Sequence, residues 1–270
     1  MPTIAVNGTD LYYEERGSGP AILFVHGMCG FANVWDDQVG RLAADFRCVT
    51  YDRRGHSRSR LGDVQQRTVE LHADDAAGLI RALGLAPCLL VGSSGGARVG
   101  LDVVRRYPEL LAGAVLSEPP VFALEPAAAA AAQPEMAARL QAALAQGDPR
   151  AAVDAFFDFM CPGLWRAIDE PRRDLYRANA GELLPDLQMP PYRVSPADLA
   201  DVRVPCLVVR GDRSHPLLQR IAGTLASSIP DAELVELRGS GHVTYAEQPE
   251  AFAAAVRGFA ARLTGVGAGR

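Results

Sequence analysis

The pentapeptide Gly92-Ser93-Ser94-Gly95-Gly96 sets a serine between glycines in the pattern G-x-S-x-G, directly after the apolar run PCLLV and directly before a helix-like stretch. A serine in that context stands on a sharp strand-to-helix turn that lifts its hydroxyl clear of the strand end. The glycines keep Cβ atoms out of the crowded turn, and the start of a helix stabilises negative charge beside it. The chemistry this suits is nucleophilic attack by Ser94; Ser93 is the competing hydroxyl but lacks the symmetric glycines. A serine hydroxyl needs a base to take its proton, and the chain has five histidines, at 26, 56, 72, 215 and 242. The base in turn is usually held by a carboxylate. Two positions offer one: Glu118, which ends AGAVLSE just before Pro119-Pro120, and Asp212 in LVVRGDRSHPLL.

These residues need elements to bring them together. TIAVNGTDLYYEERG reads as two short strands around Asn7-Gly8, a hairpin turn signal. Apolar runs then recur as AILFVHG, RCVTYD, PCLLVGS, AGAVLSE, PCLVVRG and ELVELRG. Such runs fit strands buried on both faces, as in a parallel sheet. Helical spacing appears between most of them, in VWDDQVGRLAAD, in TVELHADDAAGLIRALG with Thr68 as N-cap, and in ARVGLDVVRRYPE. His72 reads as a solvated residue of the second of these. The alternation predicts an α/β protein with a mostly parallel, doubly wound sheet. From about Pro119 to Asp201 the rhythm changes to Ala-rich, proline-punctuated helical text. Its aromatic residues, among them Phe156, Phe157, Phe159, Trp165 and Tyr176, argue against a disordered linker. The expected organisation is a core formed by residues 1–118 and 201–270, with residues 119–200 as a helical cap.

Across its length the chain resembles the α/β-hydrolase superfamily. The resemblance is carried by FVHGMCG, YDRRGHSRS, VGSSGG and GSGHVTYAEQPEAF. It implies a Ser-His-acid triad on the α/β-hydrolase fold, with Ser94 as nucleophile and His242, last in chain order, as base. It also implies that His26-Gly27 shapes an oxyanion loop, with the backbone N–H groups of Met28 and Gly95 as the two oxyanion donors. His56 is expected to be structural, and His215 is a candidate for the rim of the site.

The acid is where the chain departs from the usual pattern. The superfamily commonly places it three residues after the glycine that ends the strand CLVVRG, and here that residue is Ser214, which cannot ionise. Asp212 lies two residues early. Glu118 ends the strand that follows the nucleophile helix, beside the elbow strand. In this it is similar to haloalkane dehalogenases and to zearalenone lactonases, which place their acid after the same strand. Glu118 is the preferred acid, and Asp212 remains the alternative.

This constellation predicts a serine hydrolase (carboxylesterase- or lactonase-like) that cleaves an ester or lactone of a hydrophobic small molecule through an acyl-enzyme. The alternatives on the same residues are a C–C bond hydrolase, a cofactor-free perhydrolase, or a receptor-like small-lactone binder. A Phe156, Phe157, Met160, Leu164 and Trp165 cluster is a candidate apolar pocket, or else the core of the cap. Neither a metal nor a cofactor is expected. The 270 residues carry a net charge of −5 with a pI near 5.6, all 27 basic residues being Arg and none forming a block. Nucleic acid and membrane are therefore not expected partners; a small-molecule substrate is, and a homodimer is a candidate assembly. No apolar run reaches 18 residues and the N-terminal text lacks a signal-peptide pattern. Five scattered cysteines, at 29, 48, 88, 161 and 206, form no CxxC pair. They read as reduced and buried, consistent with a cytoplasmic protein.

Overall fold

The computed structural model describes residues 2–64 and 66–265. Met1, Gln65 and residues 266–270, all within the expected core, lie outside the described residues. Asn7 and Gly8 take φ of 48° and 74°, the left-handed pair that a two-residue hairpin turn needs. They join β1 (Thr3–Val6) to antiparallel β2 (Thr9–Arg16). The six apolar runs become β3 (Ala21–Val25), β4 (Arg47–Tyr51), β5 (Cys88–Ser93), β6 (Leu111–Ser117), β7 (Cys206–Gly211) and β8 (Ala232–Leu237). All eight strands form one sheet in the order β1-β2-β4-β3-β5-β6-β7-β8, parallel from β4 onward. This is an α/β sheet with the elbow strand β5 at its centre, flanked by β3 and β6.

Helices cover both faces. Before the insertion come α1 (Asp36–Leu42), α2 (Val69–Ala82) and α3 (Gly95–Arg106). The period-2 side-chain alternation of β3 shows the layering. Leu23 and Val25 pack in one layer with α2, α3 and residues 217–225; Ile22 and Phe24 pack in the other with α1 and residues 252–259. Each such fully buried side chain is worth roughly 1.5–3 kcal/mol relative to exposure. Thr68 caps α2 by accepting a hydrogen bond from Leu71 N at 3.0 Å.

Two expectations fail here. ELVELRG reads as buried on both faces, but β8 is the sheet edge, has only β7 beside it, and leaves Leu234 40% exposed. His72 is not solvated: it is 1% exposed, on the core face of α2 between Val69 and Ala76. Neither of its ring nitrogens has a partner among the described residues. Burial first, then the nearby Arg53 cation, holds its pKa well below the ordinary histidine value, so it is neutral.

Between β6 and β7 run α4 (Pro126–Leu144), α5 (Pro149–Met160), α6 (Pro162–Ala167), α7 (Glu170–Arg177), α8 (Ala180–Leu187) and α9 (Pro196–Leu199). The prolines mostly start these helices: Pro126, Pro149, Pro162, Pro171 and Pro196 occupy the first turn of α4, α5, α6, α7 and α9. Their missing N–H is an unpaired group there in any case. Asp148 and Asp169 cap α5 and α7. The chain closes with α10 (Pro216–Ser228), α11 (Thr244–Glu247) and α12 (Pro249–Gly265). All five cysteines are free and buried. Among the described residues no helix is long and apolar enough to cross a membrane.

Candidate active site

Ser94 follows β5 immediately and starts α3. Its φ and ψ are 54° and −122°, a conformation that costs a non-glycine residue about 1–3 kcal/mol. The surroundings hold it there. Ser94 N donates to Ser117 O at 2.8 Å, and Ser94 O accepts from Ala97 N and Arg98 N at 2.9 and 3.1 Å. The glycines around it are required by contact. A Cβ on Gly92 would lie 2.5 Å from Gly96 O, and one on Gly96 would lie 2.1 Å from Val25 O.

Above this turn the chain brings His242 and Glu118. His242 Nε2 lies 2.9 Å from Ser94 Oγ, and His242 Nδ1 lies 3.2 Å from Glu118 Oε2. Glu118, in the first position after β6, has a positive φ of 52°. Its carboxylate is fully buried, which is tolerable because donors surround it. Oε1 accepts from Gly211 N at 2.8 Å, and Oε2 accepts from Ser214 Oγ as well as facing His242. Ser214, which cannot be the acid, is thus a donor to it. The loop that carries His242 is clamped by Glu247, whose carboxylate accepts from Gly241 N at 2.8 Å and Val243 N at 3.0 Å. Thr244 Oγ1 and Ser117 Oγ, 2.6 Å apart, tie that loop to the end of β6. Asp212 is exposed and turned away: its Oδ1 accepts from Gly239 N at 2.7 Å.

The loop after β3 completes the site. A Cβ on Gly95 would lie 3.7 Å from Met28 N, so Met28 N lies against the residue that follows Ser94. Among the described residues neither the Met28 nor the Gly95 N–H has a hydrogen-bond partner. His26 is fully buried; Nδ1 donates to Gly27 O at 2.8 Å and Nε2 accepts from Arg53 N at 2.9 Å. Burial, then Arg53 and His56, depress its pKa well below the ordinary value. It is therefore a neutral, fixed-tautomer brace. His56 is buried against Arg53 and Asp186. His215 caps α10 by accepting from Leu217 N at 3.2 Å and is not at the pocket. Of the five histidines, His242 alone reaches Ser94.

Ser94 and His242 open into a small cavity of about 40 Å³. Its wall is apolar and comes largely from the inserted helices, with Phe156, Phe157, Leu164, Trp165 and Tyr176 facing Met28. Phe157 stacks on Trp165 with centroids 4.6 Å apart and 13° between planes, and Tyr176 meets both edge-on. These residues are at once the packing core of the inserted helices and the cavity wall. Met160, by contrast, packs against the core and does not line the cavity. Two residues of the insertion near the loop carry no motif in the sequence, Asn179 and Asp186; their contacts with the loop and with Arg53 of YDRRGHSRS span more than a hundred positions.

Comparison with known proteins agrees with this architecture. Residues 22–255 match the family model described as the alpha/beta hydrolase family. The chain is 43% identical over 118 residues to the uncharacterized hydrolase YraK of Bacillus subtilis, a match covering 43% of this chain and 44% of that protein. It is 29% identical over 268 residues to the 2-(acetamidomethylene)succinate hydrolase of Mesorhizobium japonicum, covering 92% of this chain and 91% of that protein. The crystal structure of an alpha/beta hydrolase from Sphaerobacter thermophilus superimposes with a TM-score of 0.76 at 27% identity, over 94% of this chain and all of the other. With the family model spanning most of its length, the chain belongs to the alpha/beta hydrolase family and is a hydrolase.

Proposed function

We propose that this hydrolase cleaves a carboxylic ester or lactone of a small hydrophobic molecule through an acyl-enzyme on Ser94. The observation that carries the reading is the single imidazole, His242, set between Ser94 Oγ at 2.9 Å and a buried carboxylate at 3.2 Å. In this reading Ser94 Oγ attacks the carbonyl carbon as His242 Nε2 takes its proton. Glu118 holds the Nδ1–H tautomer and stabilises the imidazolium. The carbonyl oxygen becomes an oxyanion between the Met28 and Gly95 N–H groups, donors that are otherwise unused. Collapse of the tetrahedral intermediate returns the proton to the leaving alcohol. Water, activated by the same histidine, then releases the acid.

The cavity narrows the substrate. The cavity beside Ser94 is small, about 40 Å³, with an aromatic wall. A small cavity of this kind favours a short acyl chain. In the same reading the helices between β6 and β7 act as the cap that builds this wall. The test is a series of p-nitrophenyl esters from acetate to decanoate, with small lactones alongside, on wild type and Ser94→Ala. Turnover should peak at the short chains. Ser94→Ala should lose about 10⁴-fold or more in kcat while remaining folded. Activity retained within a hundredfold would remove Ser94 as nucleophile. One stoichiometric burst with no turnover would replace hydrolysis by a receptor-like reaction.

A further inference from the structure

We propose that Asn179 and Asp186 of the inserted helices are positioning residues that aim the Met28 N–H at the oxyanion; this rests on the reading of Ser94 as nucleophile. The argument begins with one peptide plane. The Gly27 carbonyl and the Met28 N–H belong to the same planar unit and point in opposite directions. Whatever holds Gly27 O therefore sets the direction of the Met28 N–H. Gly27 O accepts from His26 Nδ1 at 2.8 Å, Gly30 N at 3.3 Å and Arg53 Nη2 at 3.3 Å. The Arg53 guanidinium is itself held by Asp186 Oδ2 at 2.7 Å, both side chains being almost fully buried. Asp186 lies in α8, so a residue of the insertion fixes, through Arg53, the plane that carries the donor.

Asn179 holds two peptide units further along the same loop, Cys29–Gly30 and Gly30–Phe31, beyond the Met28–Cys29 unit. Its Nδ2 donates to Cys29 O at 3.2 Å and Gly30 O at 3.1 Å. Its Oδ1 accepts from Ser57 N at 2.7 Å, which anchors the amide from the core side. Asn179 is 2% exposed. Cys29 has φ of 52°, a strained value for its type, so the loop needs such outside restraint to keep its shape. Asn179 sits at the start of α8, just after α7 supplies Tyr176 to the cavity wall. The insertion that shapes the pocket thus also shapes the oxyanion loop.

The test is Asn179→Ala in the full-length protein, read two ways per folded molecule. With a short p-nitrophenyl ester, kcat should fall about 10- to 100-fold and KM should change less than threefold, because a misdirected donor is lost chiefly in the transition state. The rate of Ser94 labelling by a fluorophosphonate should fall by a similar factor, since phosphoryl attack uses the same donors. Rates within twofold of wild type, a labelling rate unchanged while kcat falls, or a raised KM with kcat intact would each overturn the proposal. If Asn179→Ala does not fold, Asp186→Asn carries the same test with the size kept and the grip on Arg53 weakened. A three- to tenfold loss in kcat and labelling would support the proposal, and wild-type rates would overturn it. A wild type that is labelled at Ser94 yet hydrolyses no ester would end the esterase reading, and the labelling rates would still decide the positioning role.

Discussion

The strand ends and the inserted helices solve different problems with different means. At the strand ends, backbone groups do the holding. Ser94 is fixed by Ser117 O, Glu118 by Gly211 N, and the His242 loop by the Glu247 carboxylate on two N–H groups. The backbones there approach too closely for a side chain: a Cβ on Gly211 would lie 2.2 Å from Ser240 O. The inserted helices are looser. α7 buries none of its residues and α4 buries three of nineteen. Their hold on the core at the site is an aromatic cluster together with polar links at Asn179 and Asp186. The residues around Ser94, Glu118 and His242 thus sit in a crowded backbone frame, and the inserted helices form a more exposed layer tied to it at a few points.

That contrast can be broken by adding one methyl group in each region. Gly96→Ala places its Cβ against the Val25 carbonyl and should cost about 3 kcal/mol of stability, together with the activity. Gly181→Ala, in α8, meets nothing within 4 Å. It should be neutral or stabilise by about 0.5–1 kcal/mol, the ordinary helix gain over glycine. Urea denaturation of both variants makes the comparison, and equal penalties would contradict it.

A pH-dependent effect separates the buried core from the surface. His26 and His72 are both held neutral, mainly by burial. In the unfolded chain each takes up a proton below about pH 6.5. The unfolded state then binds protons that the folded state does not, so stability falls as pH drops below that value and is unaffected by these groups above it. The slope should approach about 1.4 kcal/mol per pH unit for each histidine, with both acting together. His72→Leu should remove one of the two contributions. A slope unchanged in that variant, measured by denaturation between pH 5 and 7.5, would show that His72 does not resist protonation.

Much of this was readable from local pattern. The hairpin at Asn7-Gly8, the strands β3 to β7 and the Ser94 elbow follow from turn chemistry, two-faced burial and glycine spacing, all of which act within a few residues. β8 misleads because edge position is a property of the sheet order, not of ELVELRG itself. His72 was readable in principle: it stands three residues after Val69 and four before Ala76, on the apolar face of α2. The links from Asn179 and Asp186 to the core were not readable, because they span 122 to 150 positions and no local rule makes them. Ser214 in the slot where the superfamily commonly has its acid pointed the sequence reading to Glu118, with Asp212 as the alternative. Only the fold shows the Ser214 hydroxyl donating to Glu118.

In the proposed mechanism Glu118, which follows β6, is the carboxylate that backs His242, while Asp212 is a loop residue. The direct measurement is kcat for Glu118→Gln and Asp212→Asn on the best short-chain ester, with folding checked by circular dichroism. Glu118→Gln keeps the size and removes the charge beside His242 Nδ1, so it should lose about 10³- to 10⁴-fold in kcat with KM little changed. Asp212→Asn removes an exposed charge and keeps an oxygen that can accept from Gly239 N, a change worth at most about 1 kcal/mol, and should stay within about tenfold of wild type. The reverse pattern, with Asp212→Asn crippled and Glu118→Gln active, would contradict the account.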